Sequence, residues 1–165
     1  MLKLVSIFIV LTTFSSFASE LFTVQKSYNP NNVLHYKANI EKCALRTPSV
    51  DSYWIMGETD GHREVLSPKE VRYFAPKISL ESEYEALFSI GALEVIGKDF
   101  PNKNIQIRME GCEAKAYAEI NGQYLQLKNI YVAGRITITL NWITYYMIVT
   151  AIDAAGVEQT FKFVP

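Results

Sequence analysis

The feature that most limits what this chain can fold into is a two-residue hydrophobic period that recurs between turn signals. Ile105, Ile107 and Met109 alternate with Gln106, Arg108 and Glu110; Gly111 interrupts; Cys112, Ala114, Ala116, Ala118 and Ile120 then oppose Glu113, Lys115, Tyr117 and Glu119. Successive side chains of a strand point to opposite faces, so each stretch has one apolar and one wet face, as in antiparallel sheet. Asn121-Gly122 follows, the favoured dipeptide of a two-residue hairpin. Pairing Ile120 with Gln123 sets Ala118 opposite Leu125 and Ala116 opposite Leu127, so the apolar faces coincide. It also sets Lys115 against Lys128, and like charges there predict that the pairing frays or bulges.

The same grammar covers most of the chain. Residues 21–28 form a first strand, Asn29-Pro30-Asn31-Asn32 a cluster of turn formers, and 33–40 a second strand with Leu34, Tyr36, Ala38 and Ile40 on one face. A loop through Arg46-Thr47-Pro48 leads to a strand at 52–56, and Asp60-Gly61 supplies a turn. Ser67-Pro68-Lys69-Glu70 is a helix start, with Pro at the first helical position and Glu able to reach back; Pro76 limits that helix to about two turns, 68–74. Residues 78–100 are ambiguous: 81–87 could begin as helix, and 92–96 read as extended. Ile136, Ile138, Leu140 and Trp142 alternate, but from 143 to 151 both faces turn apolar or aromatic. One strand over 135–153 would stretch to about 60 Å, too long for a domain of this size, so a bend is expected near Asn141 and a central or doubly covered strand after it. Asp153-Ala154-Ala155-Gly156 turns the chain into a closing strand at 157–164. The fold class expected is all-β, mainly antiparallel: a β-sandwich or small β-barrel with one short helix.

The first eighteen residues stand apart. Lys3 precedes residues 4–14, of which eight of eleven are apolar, and Ser15-Ser16-Phe17-Ala18 is a polar stretch with small residues where a signal peptidase reads. Residues 1–18 are therefore expected to be a secretory signal peptide, and 19–165 a single β-rich domain, periplasmic or extracellular and soluble after cleavage. The apolar run is shorter than the roughly 20 residues of a membrane helix. The only two cysteines, Cys43 and Cys112, lie after the cleavage point, and an even count in an exported chain predicts one disulfide. With hydrophobic residues at 49%, charged residues at 20% and a net charge of -1, the chain has material for a core and no basic stripe for nucleic acid.

No catalytic constellation emerges: there is no nucleophile elbow, phosphate loop, zincin motif or Cys-x-x-Cys, and His35 and His62 are the only imidazoles. No cofactor and no metal is expected. Glu58-Thr59-Asp60-Gly61-His62-Arg63-Glu64 packs five ionisable groups between an aromatic strand and the helix, where a loop can present a binding surface. Its spacing fits no calcium loop, and one histidine with scattered carboxylates is a weak zinc signal. Carboxylate pairs such as Glu58/Glu64 or Glu81/Glu83 are expected by coincidence among 17 acidic residues. Tyr53 and Trp54, like Tyr145 and Tyr146, point to opposite faces of a strand, so one of each pair can fill the core while the other meets a partner. The candidate binding residues are Tyr53, Trp54, His62, Arg63 and Glu64.

Residues 21–77 resemble a bacterial exported family known as domain of unknown function 4833. The residues that carry this are Ser27, Asn29 and Asn31 before Val33 and Tyr36, then Tyr53-Trp54, then Glu64 and Leu66 followed by Glu70; Gly156, Glu158 and Pro165 resemble the family's closing strand. Where the family runs on with a small glycine-containing segment after the helix, this chain has Phe74-Ala75-Pro76-Lys77. The resemblance implies an exported β-rich domain and supplies no reaction. Three functional readings follow: a binding or structural module of the envelope, with a protein or glycan partner; a barrel carrying a small apolar ligand, lined from Trp54, Trp142 and Tyr146; and a hydrolase of cell-wall glycan or peptide using residues 58–64.

Overall fold

A computed structural model of the chain describes residues 17–57, 61–96, 105–136 and 142–164. The expected signal peptide lies almost wholly outside them. Among the described residues, eleven strands and two short helices run in the order β1 (Phe17–Lys26), β2 (Asn29–Glu41), β3 (Ala44–Met56), β4 (His62–Val65), α1 (Pro68–Phe74), β5 (Lys77–Leu80), β6 (Glu85–Ser89), α2 (Gly91–Ile96), β7 (Ile105–Glu110), β8 (Glu113–Ile120), β9 (Gln123–Ile136), β10 (Trp142–Ile152) and β11 (Glu158–Phe163). They form one curled sheet, a half-barrel, antiparallel throughout except for the β1–β9 pair.

β9 is the spine of this sheet. β10 runs along one of its edges, while the other is shared: β8 pairs with its first residues, as far as Tyr117↔Gln126, and β1 takes over at Thr23↔Asn129. Two arms leave that edge, β1-β2-β3-β4 and β8-β7-β6-β5. The pairing thus frays just before Lys115 would meet Lys128, as like charge predicts, and Lys115 instead bonds Glu110 at 2.5 Å. Ala116 and Leu127, expected to pair, do not: the β8 ladder ends at Tyr117↔Gln126 and β1 pairs only from Asn129.

The core lies between the arms. Leu34, Tyr36, Ala38 and Ile40 are buried as their alternation requires, as are Ala114, Ala116, Ala118 and Ile120. Phe22 stacks on Tyr36 at 4.8 Å, and Phe88 from β6 meets both edge-on, at 5.5 and 5.3 Å, so one aromatic cluster joins the two arms. A Cys43–Cys112 disulfide joins them again at the surface. Each cysteine sits in a two-residue turn, Lys42-Cys43 between Glu41 and Ala44, and Gly111-Cys112 between Glu110 and Glu113. Beside this bridge Leu45 N–H donates to Glu83 O (2.8 Å) and Ser19 Oγ to Ala114 O (2.9 Å), so the seam between the arms is closed at that end.

Several expectations shift. The first hairpin turns at Ser27-Tyr28, two residues early, because Ser27 is pinned to β9: its N–H donates to Val132 O, its hydroxyl to Gly134 O, and Gly134 N–H donates to that hydroxyl, all at 3.0 Å. Asn29–Asn32 belong to β2. The loop at Arg46-Thr47-Pro48 is an excursion within β3, where Leu45 opposes Ile40 and Val50 opposes Ala38. Residues 81–84 turn rather than start a helix. Residues 92–96 are helical in α2, not extended; Ala, Leu and Glu favour helix, and Leu93 is buried. Residues 135–153 are two antiparallel strands rather than one, since Trp142 of β10 pairs with Ile136 of β9; the bend expected near Asn141 lies outside the described residues. β10 is central between β9 and β11, but Ile143 and Tyr145 are 43% and 47% exposed while Tyr146, Ile148 and Thr150 are half-buried, so its second face is only partly covered.

α1 begins at Ser67, as expected, with the Ser67 amide and hydroxyl both donating to Glu70 Oε2 (3.1 and 2.7 Å). None of its residues is fully buried. It lies across one end of the half-barrel, where a Cβ on Gly91 at the start of α2 would stand 2.7 Å from Arg72 O. Gly91→Ala therefore displaces α1, at about 1–3 kcal/mol for such overpacking. Faster amide exchange confined to 68–74 and 91–93 is the expected signature, and unchanged exchange would show that the two helices do not bear on each other.

Candidate functional site

The end covered by α1 gathers polar groups on the inner face of the first arm. Register sets Val24, Leu34, Trp54 and Glu64 in one row across β1–β4, since directly opposed residues share a face. Beyond it, toward α1, come Lys26, Asn32, Met56 and His62. α1 adds Glu70 and Phe74, one helical turn apart and both half-buried.

These residues hold one another. Lys26 Nζ lies 4.2 Å from the Trp54 ring, 5.0 Å from Phe74 and 3.4 Å from Glu70 Oε1. Phe74 meets Trp54 edge-on at 6.1 Å, and the Tyr36 hydroxyl donates to Phe74 O at 2.7 Å. Burial pushes the Tyr36 phenol far above its ordinary value, so it stays a donor. Burial lowers the Lys26 ammonium, against the pull of Glu70. Burial alone raises the Glu70 carboxyl, but bonds from Ser67 and the charge of Lys26 outweigh it and hold it below its ordinary value. α1 is thus clasped by one ion pair, one aromatic edge and one hydrogen bond.

Within this clasp three polar atoms are buried without a hydrogen-bond partner: Trp54 Nε1, Asn32 Oδ1 and Asn29 Oδ1. Trp54 is 4% and Asn32 8% exposed. Asn29 opposes Lys26 and so shares its face. Buried donors and acceptors in folded proteins are nearly always paired, which makes this concentration a candidate ligand site.

A pH dependence follows. Because Glu70 titrates lower in the folded chain than in the unfolded one, its contribution is complete above the unfolded value of about 4.3 and is lost as pH falls through the folded value. Hydrogen exchange of 68–74 should therefore keep its protection from pH 7 to 5, after allowance for intrinsic rates, and lose it below about pH 4. Loss already at pH 6 would mean that Glu70 does not hold the helix.

The residues singled out from sequence divide between two faces. Trp54, Glu64 and His62 lie on the mouth side, where His62 Nε2 sits 2.7 Å from Glu64 Oε1 in an exposed pair on the rim. Tyr53 and Arg63 lie on the outer face, the guanidinium 3.7 Å over the ring. Tyr53 and Trp54 do point apart, but neither is the exposed member of a pair: Tyr53 is 5% exposed because His35 (5.6 Å), Lys37 (5.6 Å) and Arg63 cover it. Residues 62–65 form the edge strand β4 rather than a loop tip, and Glu58 and Asp60 lie outside the described residues. The lining expected of an apolar carrier is not shared. Tyr146 packs on the outer face against Tyr131 (6.5 Å) and Lys162 (4.3 Å), opposite to Trp54, and the side chain of Trp142 lies outside the described residues. Among the described residues no three His, Cys, Asp or Glu gather as metal ligands, and no helix is long and apolar enough to cross a membrane.

Lys26, Asn32, Glu70 and Phe74 were not legible as a site in the sequence. One signal was present: Lys26 continues the inward phase of Phe22 and Val24, and a lysine on an apolar face needs a partner. No curated protein and no solved structure matches the chain. The family model described as Domain of unknown function (DUF4833) matches residues 22–162, the span from β1 to β11 that builds both arms and the mouth, and the chain belongs to that family.

Proposed function

We propose that the protein is an exported binding module of the cell envelope, and that its ligand sits under α1 against Trp54 and Asn32. The observation that carries this reading is the buried, unpartnered Trp54 Nε1 beneath a helix with no fully buried residue: a polar group that costs stability when left unpaired, under an element that is cheap to lift. The Cys43–Cys112 bridge supports an oxidising compartment, in keeping with the signal-peptide pattern of residues 1–18. Native mass spectrometry of protein recovered from its own periplasm tests the reading. A bound small molecule is expected, and it should be lost in Trp54→Phe. Protein that always emerges empty would remove the proposal.

The His62–Glu64 pair favours a second reading, a hydrolase of cell-wall glycan or peptide, since a carboxylate that orients an imidazole is half of a base assembly. On that reading the intact protein turns over purified cell wall and His62→Ala abolishes it; no turnover by the intact protein ends it.

A further inference from the structure

We infer that the site under α1 takes a small neutral ligand carrying several hydroxyl groups, a polyol or simple sugar; this rests on the proposed binding role and names the ligand class. Asn32 lies opposite Met56 and Leu34 opposite Trp54, so Asn32 and Trp54 are diagonal neighbours on one face of β2 and β3. Diagonal neighbours stand about 7–8 Å apart. Trp54 Nε1 is a donor and Asn32 Oδ1 an acceptor, both buried, and they do not bond each other. A hydroxyl satisfies both, accepting from the indole and donating to the amide oxygen. A carboxylate answers only the indole and an ammonium only the amide. Asn29 Oδ1 is a second buried acceptor at the same end, which calls for a second hydroxyl.

Charge points the same way. The Lys26 and Glu70 charges are paired with each other, so a charged ligand beside them would shed its water without gaining a counter-ion. Stacking is not the mode of recognition, because Lys26 lies over the Trp54 ring and Phe74 against it; the indole N–H is what is left to bind with. Access is through α1, whose lifting breaks the Lys26–Glu70 pair and the Tyr36–Phe74 bond.

The test uses oxidised full-length mature protein carrying Trp142→Phe, so that Trp54 is the sole indole. Its fluorescence is titrated with D-glucose, glycerol and N-acetylglucosamine, and separately with sodium octanoate. A saturable shift with at least one hydroxylated probe is expected, with none for octanoate, and apparent affinity should fall at least tenfold in Asn32→Leu. Asn29→Leu, at a less buried position, should also weaken binding and guards against a folding defect in Asn32→Leu. A saturable response to octanoate alone would overturn the ligand class and leave the binding role standing. No saturable response to any probe would overturn the ligand class, the binding role falling only if protein from its own periplasm also emerges empty, and binding unchanged in both asparagine variants would overturn the placement.

Discussion

Replacing Cys43 and Cys112 together with alanine lowers the unfolding free energy by about 4 kcal/mol, the loop-closure value for a bridge spanning 69 residues. The bridge joins two hairpin tips whose arms separate at β9 and are otherwise linked at that end by the Leu45–Glu83 and Ser19–Ala114 hydrogen bonds. Those bonds hold the tips together in the folded state with or without the sulfurs, so the effect falls mainly on the unfolded chain, which gains the freedom to separate its arms. A domain of ordinary stability has about 5–15 kcal/mol in all, so the variant folds but is marginal. Urea unfolding of the oxidised protein, the reduced protein and the double variant measures this. The last two should coincide, and a loss below about 1 kcal/mol would show that the unfolded arms stay close without the bridge.

Phe88→Ala has an effect of similar size, about 3–5 kcal/mol. Phe88 comes from β6 in the second arm and inserts edge-on between Phe22 and Tyr36 from the first. Removing it leaves a cavity at the point where the arms meet, and the disulfide limits how far they can close to fill it. Phe88→Leu keeps most of the volume and should cost less than about 1.5 kcal/mol. Tyr36 also holds α1 through its hydroxyl, so Phe88→Ala should speed exchange in 68–74 as well as lower global stability. Equal effects of the two substitutions would indicate that the cavity collapses and that the arms are not rigidly braced.

Alternation made the faces of β2, β7 and β8 readable, and local chemistry made the Asn121-Gly122 turn, the Ser67 helix start and the single disulfide readable. What alternation cannot supply is neighbours. That β8 and β1 share one edge of β9, with β1 parallel to it, depends on contacts between residues about a hundred positions apart. The same long range moved the first turn, since Ser27 is held by Val132 and Gly134. Residues 143–151 looked doubly covered because aromatic side chains such as Tyr145 are apolar by composition, yet they stand half in solvent. The site was legible in part. Trp54 and the neighbouring Glu64 drew notice as an aromatic and a charged loop, but the partners that make a mouth of them come from β1, β2 and α1. Lys26 had no motif around it, and Glu70 read as a cap alone, although it also clasps Lys26.

Hydrogen exchange of the Trp54 indole N–H, followed by NMR in a Trp142→Phe background, tests most directly whether the end under α1 is a ligand site closed by that helix. The expected result is slow exchange in the intact protein, exchange about tenfold faster in Glu70→Gln, since losing a charge-assisted bond of roughly 1.5 kcal/mol eases opening, and slower exchange again when small molecules extracted from the native periplasm are added. Exchange that is the same with Glu70 or Gln, and indifferent to the extract, would contradict it.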